Sequence, residues 1–249
     1  MTTEDSRKQS SGPELDAVAE DLFGLNIRGM KSILTLWRRP RQYFLAAESP
    51  DWQDEYTPSI RLWLSFFALL SALKFWWFGT NEGMIGAFAS GFANAGVQLP
   101  EGVTYEDIGA EAVLWAFGLV PVLQIICMFL LSTVYNVWGR RTTLALRQRY
   151  LFAVMVPNAS LMPVFLTVML FIPQAMISAY GMVLAVATLL VDFQTGYRGG
   201  FSNVSRIGRA WRAALLALTL VTINAGTTIA AQIAGIIVIG QKYGLAPPG

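Results

Sequence analysis

The chain has 249 residues, of which 54% are hydrophobic and only 14% are charged, a balance typical of a polytopic helical membrane protein and not of a soluble domain. It contains no histidine, which excludes imidazole metal ligands, histidine-ligated haem and every mechanism with an imidazole base. The formal net charge of +2 says little by itself, because in a membrane protein the positions of the charges matter more than their sum.

Residues 1–57 are predicted to form a cytoplasmic region that precedes the membrane domain. Residues 1–12 are polar, small and mixed in charge, and no apolar stretch follows Arg7 and Lys8. We therefore expect a disordered tail there and not a cleaved signal peptide. The chain then becomes amphipathic, and its apolar residues recur at three- and four-residue spacing. They predict a helix between Asn26, a favourable cap, and Pro40, which ends it.

Two interpretations of this N-terminal helix fit its pattern. In the first, the helix lies on the membrane, its basic residues contact anionic headgroups and its tryptophan settles at the interface. The residues predicted to bind the membrane surface are Arg28, Lys31, Trp37, Arg38, Arg39 and Arg41. In the second, the same apolar face packs on the cytoplasmic ends of the protein's own helices.

Five apolar stretches predict five transmembrane helices, since crossing a bilayer core of roughly 30 Å takes about 20 apolar residues in a helix. Inside lipid each backbone polar group must be satisfied within its own segment, so the predicted fold class is all-α. The predicted spans are residues 58–79, 112–138, 150–172, 175–194 and 213–240. Together they form one transmembrane domain at residues 58–240, and an external tail follows at residues 241–249.

The first span and the loop after it hold charges of opposite sign. Lys74 lies near the end of the span beside Trp76, and we expect its ammonium to extend to the far interface, the alternative being a functional intramembrane lysine. Residues 80–111 contain five acidic residues and no Lys or Arg. They predict a short interfacial helix and a turn at residues 100–102.

Uncharged polar side chains recur inside three of the predicted spans. Such residues either join helices through hydrogen bonds or line a polar path. Gly235 in the last span leaves room for a neighbouring backbone to approach closely. The residues predicted to serve helix packing or a polar path are Gln124, Asn158, Asn224, Thr228, Gln232 and Gly235.

Two further side chains of the spans carry separate predictions. Cys127, the one cysteine, lies in an apolar run of the second span and is interpreted as a small buried hydrophobe. Asp192 lies near the end of the fourth span, and Arg198 follows it in the next loop. We expect an interfacial ion pair between these two residues. The alternative is a site that carries a proton or a cation, because intramembrane acids are functional candidates.

The basic residues predict the orientation of the chain. Sixteen of the eighteen Lys and Arg residues fall on one side of the membrane if the chain crosses five times, and the exceptions are Lys74 and Lys242. The positive-inside rule then places the N-terminus in the cytoplasm, and the C-terminus and the acidic loop outside.

Several stretches resemble the YIP family of Rab-interacting membrane proteins and its bacterial relatives. Residues 28–44 (RGMKSILTLWRRPRQYF) are similar to the segment before the first span in bacterial members. Residues 150–163 resemble their proline-bearing third helix, and residues 197–215 resemble the entry to their last helix. The resemblance implies a non-enzymatic membrane organiser or adaptor; eukaryotic relatives act in vesicle traffic through small GTPases.

The expected function is therefore that of an organiser, adaptor or accessory subunit in the bacterial inner membrane. The loops hold no phosphate loop, metal cluster or paired nucleophile and base, so we expect no enzymatic activity and no cofactor. The expected partners are anionic lipids and other membrane proteins or a second copy of the chain, and no nucleic acid. The alternative is a transporter or channel subunit with a polar path lined by the third and fifth spans.

Overall fold

The computed structural model describes residues 27–78, 82–139, 142–173, 176–201 and 204–245. The predicted tail at residues 1–12, the cap residue Asn26 and the end of the C-terminal tail lie outside the described residues. Within them the chain is helical and contains no strand. The helices are α1 (Ile27–Arg38), α2 (Pro40–Ala46), α3 (Ser59–Phe78), α4 (Glu82–Asn94), α5 (Tyr105–Val134), α6 (Leu144–Met169), α7 (Ile177–Thr195) and α8 (Arg206–Tyr243).

Five of these helices, α3, α5, α6, α7 and α8, are long and apolar enough to cross a membrane, which confirms the all-α fold class and the five predicted spans. Three of them, α5, α6 and α8, begin earlier than predicted, because polar loop residues cap them. The Thr104 hydroxyl accepts the Asp107 N–H at 3.1 Å and the Asp107 carboxylate accepts the Thr104 N–H at 3.0 Å, so α5 begins in the acidic loop. The Ser205 hydroxyl caps α8 by accepting the N–H of Gly208 at 3.2 Å.

The core of the bundle forms around the first half of α6. Every residue from 150 to 157 is buried, including Pro157, through which the helix continues. The Phe152 ring lies 4.9 Å from that of Trp63 in α3 and 5.3 Å from that of Phe129 in α5, measured between centroids. These aromatic contacts bury large apolar surfaces and hold three helices together.

Residues 27–58, the N-terminal segment, fold into a compact unit at one end of the bundle. The Ser32 hydroxyl accepts the N–H of Thr57 at 2.9 Å, and the Tyr43 hydroxyl donates to the Thr57 carbonyl at 2.7 Å. Burial raises the pKa of Tyr43 well above its ordinary value, so this hydroxyl stays protonated and keeps donating its hydrogen bond. We call this end of the bundle proximal and the other end distal.

The N-terminal segment is docked on the spans by hydrogen bonds. Arg149, near the start of α6, donates to the carbonyls of Ala47 and Ser49 at 2.9 Å each, and the Tyr150 hydroxyl donates to Glu48 at 3.0 Å. The buried face of α1, formed by Gly29, Ser32, Ile33 and Leu36, packs on the protein itself. The buried face of α1 therefore follows the second interpretation, in which the helix packs on the protein's own spans.

The predicted membrane-surface residues fall into two groups. Trp37 does not turn toward lipid: it is half-buried, and its indole N–H donates to the Ser160 hydroxyl of α6 at 3.1 Å. Lys31 forms an ion pair with Glu55 on the same segment. The other four side chains are exposed, and these are Arg28, Arg38, Arg39 and Arg41.

Candidate functional site

A cavity of about 690 Å³ lies among the five spans and is the candidate site. Most of its wall is apolar, but each of the five spanning helices contributes at least one polar side chain. These are Ser71 and Lys74 from α3, Gln124 from α5, Asn158 from α6, Thr188 and Asp192 from α7, and Asn224 and Thr228 from α8. Cavities of this volume typically hold ligands the size of a metabolite or a drug.

The structure brings together four of the residues predicted to line a polar path: Gln124, Asn158, Asn224 and Thr228. The Gln124 amide donates to the Asn224 side-chain oxygen at 2.8 Å and so links α5 to α8. Gln232 does not line the cavity and is exposed. A step of four residues overshoots one helical turn by about 40°, so a stripe that starts at Asn224 turns away from the cavity by Gln232.

Gly235 serves packing and not the cavity. A Cβ atom added to this glycine would lie 3.1 Å from the Cβ of Trp115, so α8 and α5 approach each other closely here. Ala231, one turn earlier, is fully buried. The small residues therefore belong to a helix contact beyond the cavity, with α5 as the neighbour.

Asp192 is buried, with 1% of its surface exposed, and its Oδ1 atom has no hydrogen-bond partner among the described residues. The predicted ion pair with Arg198 is wrong. Residues six apart on a helix lie on different faces, so Asp192 points into the bundle while Arg198 stays at the surface. The Arg198 guanidinium instead donates to the carbonyls of Trp37, at 3.4 Å, and Arg38, at 2.8 Å.

Asn158 and Lys74 also line the cavity with unused polar groups. The Asn158 Oδ1 atom is buried and has no hydrogen-bond partner in the described part of the chain. The sequence predicts that Lys74 extends to the far interface, whereas the structure places it in the cavity wall. None of the ion pairs among the described residues includes Lys74. The alternative of a functional intramembrane lysine stays a prediction.

Two contacts fix the heights of α3 and α7 relative to α6. The Trp63 ring of α3 packs on Phe152, near the proximal end. The Tyr180 hydroxyl of α7 donates to the Phe165 carbonyl at 2.8 Å, near the distal end. Because a helix rises about 1.5 Å per residue, heights along the bundle follow by counting residues from these contacts.

The polar groups form an ordered series along the length of the bundle. On this count, Asp192 lies lowest, toward the proximal end, and Lys74 lies on the order of 15 Å above it. Asn158 and the hydrogen-bonded pair Gln124 and Asn224 lie between these two heights. The cavity thus presents a carboxylate, then amides, then an ammonium group, from the proximal to the distal end.

A second polar cluster, missed by the sequence analysis, joins α5 to α8 at the distal end. The Glu111 carboxylate accepts hydrogen bonds from Lys242 at 2.7 and 2.9 Å and from the Tyr243 hydroxyl at 2.8 Å. The Trp115 indole N–H also donates to it, at 3.3 Å. The sequence could have indicated this cluster. Lys242 is one of the two exceptions to the sorting of basic residues, and the acidic loop predicted on the same side of the membrane contains the partner, Glu111.

Comparison with protein-family models, curated proteins and solved structures finds no match to this chain. The resemblance to the YIP family therefore remains a prediction based on the sequence.

Proposed function

We propose that this protein is a non-enzymatic membrane protein that binds a small amphipathic solute inside its helix bundle, in the manner of a transporter. One observation carries the proposal: the cavity has polar groups from every spanning helix, and two of them, on Asp192 and Asn158, have buried oxygens without a partner among the described residues. This favours the transporter alternative over a purely organising role.

The energetics of the bilayer support the proposal. A polar group that only joins helices must find its partner within the protein, as Gln124 does with Asn224. Among the residues that the structure describes, the buried Oδ1 atoms of Asp192 and Asn158 have no partner, an arrangement that costs free energy unless a ligand or water occupies the site. Ionisable residues inside a membrane domain face cavities and mark solute or ion pathways.

Cysteine accessibility tests whether solutes reach the cavity. Ala185 lines it, whereas the adjacent Val186 does not and is 56% exposed on the outer surface of the bundle. In a Cys127→Ala background, Ala185→Cys should react with N-ethylmaleimide faster than Val186→Cys, because the thiolate that reacts forms only where water reaches the sulfur. Equal labelling rates at these two neighbouring positions would contradict the proposal.

A second proposed role, membrane-surface binding by α1, rests on a specific observation. Its outer face exposes Ile27 at 84%, Met30 at 50% and Leu34 at 48% of their surfaces, beside the exposed Arg28 and Arg38. This mixture suits anionic lipid headgroups and the acyl chains below them. A peptide of residues 25–41 should bind anionic vesicles and be displaced by salt, because ions screen such attraction over about 10 Å at 0.1 M. Binding that ignores both lipid charge and salt would contradict this role.

The proposed location is the bacterial inner membrane, with the N-terminal segment in the cytoplasm. Alkaline phosphatase is active only outside the cytoplasm, so fusions after Ala95 and Gly244 should be active and fusions after Thr143 and Asn203 should be silent. Phosphatase activity of the fusion after Thr143 would contradict this orientation.

A further inference from the structure

Within the part of the chain that the structure describes, the buried side-chain atoms of the cavity that lack a hydrogen-bond partner are all acceptors. Asp192 Oδ1 and Asn158 Oδ1 are both oxygens that accept hydrogen bonds, and both are buried without a partner among the described residues. They belong to neighbouring helices, α7 and α6, and line the same cavity. A ligand that satisfies them must donate, and a carboxylate calls for a donor that carries positive charge.

The charge within the cavity is not balanced locally. In the described part of the chain, Asp192 and Lys74 are the only charged residues that line it, and the helix geometry separates them by on the order of 15 Å. At that distance the ammonium cannot pair with the carboxylate. A carboxylate left alone in a low-dielectric site favours either its own protonation or a cationic ligand.

The shape and the remaining wall indicate an organic molecule. A cavity of about 690 Å³ is far larger than a bare metal ion, and most of its lining is apolar. On the α3 side it is walled by Trp63 and Phe67, whose rings stack with centroids 5.0 Å apart. Aromatic rings of this kind bury apolar groups and attract cations at their faces.

We propose that the cavity binds an amphipathic organic cation, with its ammonium group donating to Asp192 and its apolar body against the α3 aromatic wall. The inference rests on the proposed function and names the chemical class of its solute. Ala185 lies about 10 Å of helix rise from Asp192 on the same cavity face of α7, with Thr188 between them, so a cation that occupies the cavity restricts the access of a reagent to position 185.

The test measures protection of one cysteine in the full-length protein in lipid nanodiscs. Ala185→Cys in the Cys127→Ala background is treated with N-ethylmaleimide, with and without phenethylammonium. Phenethyl alcohol, which is similar in size but neutral, is the matched ligand control. Phenethylammonium should slow the labelling, and the alcohol should not.

Three variants then locate the cation. Asp192→Asn keeps the size of the side chain and removes its charge, and the concentration of phenethylammonium needed for protection should rise by about thirtyfold or more. Asn158→Asp adds a second carboxylate and should lower that concentration. Glu82→Gln removes an exposed carboxylate at the start of α4, outside the cavity, and should leave protection unchanged.

The outcomes separate this inference from the proposed function. If the alcohol protects as well as the ammonium, or if Asp192→Asn keeps full protection, the cavity remains a solute site but not one for cations. If Ala185→Cys reacts no faster than Val186→Cys, both proposals fail. If Asp192→Asn does not fold, Asn158→Asp decides, because unchanged protection after a second carboxylate is added to the wall contradicts a cation bound in this cavity.

Discussion

The two halves of α6 lie in contrasting surroundings. From residue 150 to residue 157 every side chain is buried by the N-terminal segment, α3 and α5. Beyond Pro163 the same helix exposes Val164 at 59% and Val168 at 41% of their surfaces. Of residues 150 to 157 only Met155 lines the cavity, whereas Asn158, Ala159 and Met162 of the following turns line it, so the close-packed part of α6 gives way to the cavity along the helix.

The largest expected effect tests the solid half. Phe152→Ala removes a fully buried ring that contacts α3 and α5, and it should destabilise the protein by about 3 to 5 kcal/mol. Val164→Ala in the distal half is the matched control and should change stability little. Thermal unfolding in detergent measures both, and similar losses would contradict the contrast between the halves.

The attachment of the N-terminal segment should be the next most sensitive feature. Arg149→Ala deletes two hydrogen bonds from a charged donor to the carbonyls of Ala47 and Ser49, which should cost about 2 to 3 kcal/mol of local stability. Hydrogen exchange of residues 45–50 should accelerate. Arg206→Ala removes an exposed arginine at the start of α8 and should leave that exchange unchanged.

The contact of α8 with α5 separates packing from polar bonding. Gly235→Leu inserts a side chain against Trp115 and should cost about 1 to 3 kcal/mol. Asn224→Leu removes the hydrogen bond with Gln124, which is worth about 0.6 kcal/mol in a membrane protein. Melting temperatures in detergent should therefore fall more for Gly235→Leu. The reverse order would mean that the polar pair, and not the close approach, joins these helices.

The smallest expected effect concerns pH at the exposed turn of the N-terminal segment. Hydrogen bonds from the Ser49 hydroxyl and the Gln53 N–H hold the pKa of Asp51 below its ordinary value of 3.8. A lowered pKa means that the stabilisation is present above 3.8 and is lost as the pH falls through the folded-state pKa. The protection of the Gln53 N–H against hydrogen exchange, relative to the intrinsic exchange rate at each pH, should therefore fall on acidification. Asp51→Ala should remove this dependence, and an unchanged pH profile in that variant would assign it to another group.

The sequence predicted the helices far better than the relations between them. Long apolar runs mark spans because lipid leaves a backbone few alternatives, and the five spans were confirmed. The start of α5 was misjudged, because its Thr104 cap lies in a polar loop that hydropathy ignores. Asp192 was paired with Arg198 from closeness in sequence, although which face a residue occupies depends on helix rotation.

The candidate site was predicted only as a set of residues. Polar side chains within spans are visible in a sequence, and Gln124, Asn158, Asn224 and Thr228 do meet in the cavity. Lys74 and Asp192 were assigned to interfaces instead, because a single sequence does not reveal which helix faces surround empty space. That information depends on how five helices pack together, which hydropathy does not encode.

The glycines after α7 have a mechanical consequence. A Cβ atom on Gly199 would lie 2.6 Å from the Phe44 ring, so the π-helical turn at Gly196–Gly200 touches α2 with no spare room. Arg198 in the same turn holds the last carbonyl of α1. The end of α7, the helix that carries Asp192, is therefore mechanically coupled to the N-terminal segment. A tilt or rotation of α7 has to displace α1 and α2. In the same way, a restraint on α1 and α2 also restrains α7.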